Sequence, residues 1–310
     1  MERTILVAID GSVYSRYALH YLATLFAGQP EVRLHLLSLV QSGGQPAGSE
    51  WLSEQELLNT MSQATRKHMQ EQHQCVASGA EFLVRHGFAP AQITTSARLA
   101  RGNVAREILY EARSGRYDAL LVGRRGIGKL EEMILGSVSA TLLEKCHDVP
   151  LWIIDGEISS RKILVPVDGT FHSLMAVDHL AFILGGNPHA EVTLFHSAAM
   201  LANRPEIRPE QFYAQWGREW CDTHLSRPDS LFHAPRQILV EGGFPAERIL
   251  WLQTMKGIDP SRQILRQALL DGFGTIVMGR RPGDVDKGLF RGVSDRVLLM
   301  AEQVAVWIVG

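Results

Sequence analysis

Short apolar runs alternate along the chain with longer segments in which apolar residues recur at helical spacing. In the first half, the apolar runs predict five strands at residues 4–9, 32–40, 93–99, 119–122 and 151–154. Strands that alternate with helices build a parallel sheet covered by helices on both faces. The pattern therefore predicts an α/β fold.

Helix boundaries are also marked in the sequence. Ser12 is placed to cap a first helix, and Gly28 can end it. Ser53 and Glu56 form a capping box for a long helical segment, in which we expect a break near Gly79.

The second half of the chain repeats the first. Residues 5–12 match 163–170, residues 121–125 match 277–281, and residues 151–154 match 306–309, at offsets of 158, 156 and 155. A repeat of this length indicates a tandem duplication. We therefore predict two domains, residues 1–156 and 157–310, joined by a polar linker.

Composition narrows the functional classes. Of 310 residues, 45% are hydrophobic and 21% are charged, and the net charge of −2 gives no bulk reason to expect nucleic acid or an anionic membrane as a partner. Three scattered cysteines fit a reducing compartment. Asp10 interrupts the apolar N-terminus before it could form a signal-peptide core, so we expect a cytoplasmic protein.

The segment after the fourth strand has the spacing of a phosphate-binding loop. Gly123 ends the strand, Gly126 follows, and Gly136-Ser137 opens a helix after nine intervening residues. Glycines let the backbone approach an anion, and a helix start adds unpaired N–H donors and a positive dipole. Positive charge is supplied by Arg124, Arg125 and Lys129.

Two other interpretations of this segment stay open. Residues 123–129 also spell Gly-x4-Gly-Lys, a P-loop up to its last letter, but Leu130 stands where Ser or Thr would hold magnesium. A glycine turn with only a structural role is the second alternative.

Read as Gly-x2-Gly-x9-Gly-Ser, the segment resembles the nucleotide-binding signature of the ATP-binding branch of the universal stress protein family. The resemblance extends over both halves. It implies two tandem Rossmann-like domains of the adenine nucleotide alpha hydrolase-like type, each with a five-stranded parallel sheet in the order 3-2-1-4-5. In such a sheet, the ligand crevice lies at the carboxyl ends of the strands, between strands one and four.

The same resemblance implies roles for particular residues. Asp10 would bond a ribose hydroxyl or lie near the adenine, or else it is a turn residue that bonds its own backbone. The other implied contacts are Ala8 and Leu39 at the adenine, Val122 and Gly123 at the ribose, and Gly126, Gly136, Ser137, Val138 and Ser139 at the phosphates. The implied cofactor is ATP or another adenine nucleotide, with Mg²⁺ alongside.

The second half departs from the signature. Pro282 replaces the inner glycine, Val293 replaces the serine, and Ser197 replaces Leu39. Counted back from Trp307, one residue is missing at the helix start. Negative charge is added by Asp284, Asp286 and Asp295. We therefore predict a degenerate copy that serves as scaffold.

The sequence leaves three functional hypotheses. The first is a regulatory stress-response module whose nucleotide occupancy controls binding to a protein partner. The second is a slow ATP hydrolase or phosphotransferase, although His147 lies at the far end of the helix from Ser137 and no base is evident. The third is a nucleotide-free scaffold. The resemblance also implies pairing of the two halves through strand five, or a homodimer.

Overall fold

A computed structural model describes residues 1–41, 62–125, 135–198, 207–254, 257, 259–281 and 292–310. The chain divides into two compact units, Met1–Glu157 and Ile158–Gly310. The predicted boundary lies one residue earlier. The predicted capping box at Ser53 and Glu56 lies outside the described residues.

The first unit is an α/β unit with five strands. Its strands are β1 (Arg3–Ala8), β2 (Val32–Gln41), β3 (Ile93–Ala100), β4 (Ala119–Gly123) and β5 (Leu151–Ile154). The described helices are α1 (Val13–Phe26), α2 (Gln63–Arg85), α3 (Val104–Ser114) and α4 (Ser137–Lys145). The strands pair in parallel in the order β3-β2-β1-β4-β5, which confirms the predicted 3-2-1-4-5 order.

The strand order explains why both faces of the sheet are covered. The connections from β1 to β3 run toward one edge, and those from β3 to β5 run back toward the other. Because such crossovers are right-handed, α1 and α2 lie on one face and α3 and α4 on the opposite face. In agreement, α1 packs against α2, and α3 packs against α4. The sheet is buried between these layers.

Helix starts in this unit follow the predicted chemistry. The Ser12 hydroxyl accepts a hydrogen bond from the Ser15 backbone N–H, and the Asn103 side chain caps α3 in the same way. Side-chain oxygens at this position satisfy N–H groups that have no partner within the helix.

The prediction of a helix break near Gly79 is wrong. Helix α2 runs without interruption from Gln63 to Arg85, and Gly79 lies buried within it. A Cβ at Gly79 would lie 3.2 Å from Leu19 Cδ1 and 3.3 Å from Leu36 Cδ1. The glycine therefore allows α2 to approach α1 and β2 closely.

The second unit repeats this topology. Its strands are β6 (Lys162–Pro166), β7 (Glu191–Ser197), β8 (Ile249–Thr254), β9 (Thr275–Gly279) and β10 (Ala305–Val309). The described helices are α5 (Phe171–Leu184), α6 (Tyr213–Trp216), α7 (Arg218–His224), α8 (Ser230–Glu241), α9 (Pro260–Asp271) and α10 (Val293–Met300). Taken by itself, the unit has the parallel order β8-β7-β6-β9-β10, equivalent to that of the first unit.

Candidate functional site

Strand register brings the predicted adenine and ribose residues to one edge of the first unit. Ala8 on β1 pairs with Leu37 on β2 and with Val122 on β4. Asp10 and Leu39 each lie two residues beyond this level, toward the carboxyl ends of their strands. The residues implied for the nucleotide base and sugar therefore converge at the crevice where the strand order reverses.

Asp10 closes the turn between β1 and α1. Its Oδ1 accepts hydrogen bonds from the Ser12 backbone N–H at 3.0 Å and from the Ser15 hydroxyl at 2.7 Å. In the second unit, Asp168 Oδ1 accepts from the Thr170 backbone N–H and hydroxyl, at 3.0 and 2.6 Å. The turn role is thus present in both units, while the contact of Asp10 with a ribose stays a prediction.

Cys75 lies beside this turn and is not part of the predicted nucleotide signature. A Cβ at Gly11, which has a φ of 82°, would lie 3.5 Å from the Cys75 sulfur. Burial, and then the negative charge of Asp10, raises the pKa of the Cys75 thiol. The thiol is therefore neutral near pH 7 and is a poor nucleophile.

Gly123 is required by packing. A Cβ at this position would lie 2.7 Å from Tyr14 Cβ and 3.1 Å from the Tyr14 carbonyl carbon. At the equivalent Gly279, a Cβ would collide with the His172 carbonyl group. The first glycine of the signature therefore lets the start of a helix pack against the strand end in both units.

The two described ends of the glycine loop are joined by hydrogen bonds. The Gly136 N–H donates to the Arg124 carbonyl at 2.9 Å, and the Ser139 hydroxyl donates to the Gly123 carbonyl at 2.8 Å. Because the buried Ser139 hydroxyl donates within the protein, it would have to leave Gly123 to donate to a phosphate. Gly126 and Lys129 lie outside the described residues.

Helix α4 begins where the signature predicts. Gly136 is its N-cap and makes no side-chain capping bond, and the first backbone bond of the helix runs from the Ala140 N–H to the Gly136 carbonyl at 2.8 Å. The N–H groups of Ser137, Val138 and Ser139 belong to the turn that has no acceptor within the helix. Such a helix start attracts an anion through these N–H groups and the helix dipole.

The two arginines predicted to supply charge to a phosphate, Arg124 and Arg125, have different surroundings. Arg124 is only 4% exposed, and its Nη1 lies 3.2 Å from Asp155 Oδ2. This buried ion pair corrects the prediction that Arg124 supplies charge to a phosphate. Arg125 differs, because its guanidinium carbon lies 6.0 Å from the centre of the Tyr14 ring, beside the first residues of the loop. Neither Tyr14 nor Asp155 belongs to the predicted signature, and Asp155 was predicted only as the start of the polar linker, residues 155–161.

The second unit has a different helix start. Helix α10 begins at Val293 after the N-cap Gly292 and has eight residues, against nine in α4, as the inferred deletion predicts. Asp295 lies in its first turn, with Oδ1 3.9 Å from Arg280 Nε. The Ser197 hydroxyl, at the position of Leu39, donates to Gln263 Oε1. A carboxylate therefore lies where a phosphate would approach.

The opening turn of the second unit is also covered. A Cβ at Gly169, the counterpart of Gly11, would lie 2.8 Å from Ile207 Cδ1. Ile207 lies in the segment between β7 and α6, a position that the internal repeat could not predict. Pro282, Asp284 and Asp286 lie outside the described residues.

Metal-binding clusters and membrane-spanning helices are both absent from the described part of the chain. No cluster there combines three or more His, Cys, Asp or Glu side chains in an arrangement that could hold a metal ion. Within the same residues, no helix has both the length and the apolar character needed to cross a membrane.

The chain is similar to proteins of one family. The model of the universal stress protein family matches residues 1–154. A universal stress protein from Archaeoglobus fulgidus DSM 4304 has a TM-score of 0.64 at 17% identity, over 99% of this chain and 95% of that chain. A functionally unknown protein from Pseudomonas aeruginosa PAO1 has a TM-score of 0.53 at 17% identity, over 99% and 92% of the two chains.

Two further comparisons, with a shorter solved structure and with curated proteins, add little to the family assignment. A universal stress protein in complex with cAMP is similar over 49% of this chain and 96% of its own, at 18% identity and a TM-score of 0.35. A comparison with curated proteins gives no match. At these identities, the two structures with TM-scores of 0.64 and 0.53 establish the fold alone. The match to the family model shows that this chain, through residues 1–154, belongs to the universal stress protein family.

Proposed function

We propose that the first domain, residues 1–156, binds ATP or another adenine nucleotide and acts as a regulatory stress-response module. In this proposal, residues 157–310 form a second domain with a degenerate nucleotide motif. The observation that carries the proposal is the start of α4. The signature glycine Gly136 and the serines beside it open this helix at the carboxyl edge of the sheet, hydrogen-bonded to the end of β4.

The phosphate end of the proposed site rests on backbone geometry. The N-cap Gly136 has no side chain to occupy the N–H groups of Ser137 and Val138, and Ser137 is exposed. Unoccupied N–H groups at a helix start favour a phosphate. Gly126 would complete the loop. Arg125 is the described arginine that remains beside it, since Arg124 is paired with Asp155.

The adenine and ribose end rests on strand register. Ala8 and Leu39 are half-buried at the carboxyl edge, so they offer apolar surface to a purine without being closed off. Leu39 would present backbone groups to the purine edge, and Asp10 would bond the ribose. Val122 and Gly123 would support the sugar from β4.

Mg²⁺ would enter with the nucleotide. This ion keeps several waters and is commonly held through substrate phosphates with few protein ligands. A loop that contacts phosphates through N–H groups and arginine is compatible with an ion carried in this way.

The proposed role is regulatory, with an unidentified protein partner that distinguishes the occupied from the empty state. Occupancy can control a partner only if the partner binds the two states with different affinity. Cytoplasmic residence, and pairing of the two domains or a homodimer, remain parts of this proposal.

The test is direct. Purified protein is denatured, and any released nucleotide is identified by chromatography, followed by calorimetric titration of nucleotide-free protein with MgATP. We expect an adenine nucleotide in the first experiment and saturable binding in the second. Absence of binding by folded protein would refute the proposal in favour of a nucleotide-free scaffold.

A further inference from the structure

We propose that Arg124 and Asp155 form a positioning pair that holds the start of α4 in its binding geometry without touching the nucleotide. This inference rests on the proposed nucleotide binding by the first domain. It assigns roles to an arginine that the sequence pattern placed at the phosphates and to an aspartate that lies outside the signature.

Arg124 connects three elements at once. Its backbone N–H donates to the Ile154 carbonyl at the end of β5, at 2.9 Å. Its carbonyl accepts from the Gly136 N–H at the start of α4, also at 2.9 Å. Its guanidinium meets Asp155 just beyond β5, at 3.2 Å. The residue therefore fixes where α4 begins relative to the ends of β4 and β5.

Burial makes this connection rigid. The side chains of Arg124 and Asp155 are 5% and 17% exposed. Removing one partner of a buried pair leaves the other charge poorly solvated, so the pair resists separation. The Arg113–Asp148 pair in the same unit has a shorter contact, 2.7 Å, but its side chains are 48% and 53% exposed. Exposed pairs of that kind contribute little.

The second unit keeps the backbone connection and moves the carboxylate. The Arg280 N–H donates to the Val309 carbonyl at 2.6 Å, as Arg124 does to Ile154. The position equivalent to Asp155 is Gly310, and a carboxylate near Arg280 is that of Asp295, in the first turn of α10, with Oδ1 3.9 Å from Arg280 Nε.

This exchange of partners has a consequence for anion binding. A carboxylate in the first turn of a helix occupies the positive end of the dipole, where a phosphate would otherwise bind. In the first unit, the carboxylate lies beyond β5 and the start of α4 carries no acidic residue in its first turn. Asp155 thus neutralises the buried arginine from a position that leaves the helix start open to phosphate.

The positioning role and direct phosphate contact predict opposite effects. If Arg124 were a phosphate ligand held back by Asp155, then Asp155→Asn would release it and raise the affinity for ATP. If the pair positions the start of α4, the same substitution lowers the affinity for ATP. Because neither residue contacts the phosphates in the second case, the salt dependence of binding stays unchanged.

The experiment is a double-mutant cycle. MgATP affinity is measured calorimetrically at two salt concentrations for wild type, Arg124→Met, Asp155→Asn, the double variant and the conservative Asp155→Glu. Circular dichroism verifies folding at the working temperature. The exposed pair supplies matched controls, Arg113→Met and Asp148→Asn.

We expect each single substitution in the buried pair to lower the affinity about tenfold, and the double variant to lose no more than Asp155→Asn, since the two residues act together. Asp155→Glu should recover part of the loss, and the control variants should bind as wild type. Amide exchange at Gly136 should be faster in Arg124→Met and in the double variant. Amide exchange in these two variants tests the proposal even if Asp155→Asn does not fold.

Other outcomes separate the two proposals. Wild-type protein that does not bind ATP overturns the proposed function and this inference with it. Wild-type protein that binds, with unchanged or higher affinity in Asp155→Asn and in the double variant, overturns the inference alone. An unchanged rate of amide exchange at Gly136 in the double variant would also overturn the inference alone.

Discussion

Asp10 combines a structural contact with a proposed ligand contact, and the duplicated chain allows them to be separated. Its Oδ1 holds the turn through Ser12 and Ser15, and Asp168 holds the equivalent turn through Thr170. A variant of Asp10 alone would confuse loss of the turn with loss of a ribose contact. The equivalent variant in the second unit removes the turn and leaves the proposed site unchanged.

We therefore expect Asp10→Ala and Asp168→Ala to lower the free energy of unfolding by similar amounts, about 1 kcal/mol, through the lost hydrogen bonds. Only Asp10→Ala should lower the affinity for ATP, by about 1–3 kcal/mol, through a lost buried hydrogen bond. Denaturant titration and calorimetry measure the two quantities. Equal ATP affinity in both variants would leave Asp10 with the turn role only.

Gly136 precedes α4 with a φ of −64° and a ψ of 154°, an extended conformation that any residue can adopt. Aspartate is among the preferred residues at an N-cap, where its carboxylate accepts from the first N–H groups of the helix. Those are the groups proposed to hold phosphate. An aspartate at this position would therefore retain the helix and compete with the ligand.

Gly136→Asp should leave the melting temperature unchanged or slightly raised and should lower ATP affinity by about 2–3 kcal/mol, since the phosphate loses charge-assisted bonds and meets a like charge. The matched control is Gly292→Asp at the start of α10, which should bind ATP as wild type does. Calorimetry and thermal unfolding test both variants. Wild-type affinity in folded Gly136→Asp would show that the helix start is not the phosphate site.

At the scale of secondary-structure elements, the end of β4 and the start of α1 are in contact at Gly123. The equivalent contact in the second unit joins the end of β9 to the start of α5 at Gly279. The presence of this glycine in both units, although the inner glycine and the serine of the signature are replaced in the second, is explained by packing rather than by ligand binding.

Alanine at either glycine should lower the free energy of unfolding by about 1–3 kcal/mol, because an added methyl group forces the helix away from the strand. Gly123→Ala and Gly279→Ala are compared by denaturant titration. The control is Gly102→Ala, since the nearest atom to the added Cβ is 3.8 Å away. Gly186→Ala would not serve as a control, because a φ of 77° at Gly186 would strain any residue other than glycine. Wild-type stability in both test variants would contradict the packing explanation.

The elements also show what sequence could and could not predict. The five strands of the first unit lie within one residue of their predicted bounds at each end, because buried strands are continuous apolar runs. The break at Gly79 was wrong, since a glycine costs a helix only about 1 kcal/mol, and close packing on Leu19 and Leu36 outweighs this. The Arg124–Asp155 pair depends on the register of Gly123 with Ile154, which becomes visible only in the folded sheet.

At the scale of the whole molecule, the two units share a topology and differ at the helix that would face the phosphates. The start of α4 has no acidic residue in its first turn, whereas Asp295 lies in the first turn of α10. Ile207 additionally covers the opening turn of the second unit at Gly169. Loss of the inner glycine and the serine was evident in the sequence, but the cover by Ile207 lies in a segment that the first unit does not match.

We expect these differences to give a stoichiometry of one ATP per chain. Calorimetric titration of nucleotide-free protein measures the number of sites directly, and Gly136→Asp provides the control, because it should weaken the first-unit site by about 2–3 kcal/mol. Two equivalent sites in wild type, or a site of wild-type affinity in the variant, would show that the second unit binds nucleotide.

The whole chain should retain bound ATP for many minutes. In-line attack on a phosphate needs an oriented water and a group that positions it. Among the described residues, Asp10 Oδ1 is engaged by Ser12 and Ser15, and His147 lies beyond the far end of α4, with Nε2 2.8 Å from the Glu144 carbonyl. We therefore expect phosphate release far below the roughly 1–10³ s⁻¹ usual for enzymes.

A steady-state assay of phosphate release from ATP, on wild type and on Asp10→Ala, tests this expectation. Rapid release that is lost on mutation of one acid or base, with ATP binding intact, would identify a hydrolase instead of a regulatory module.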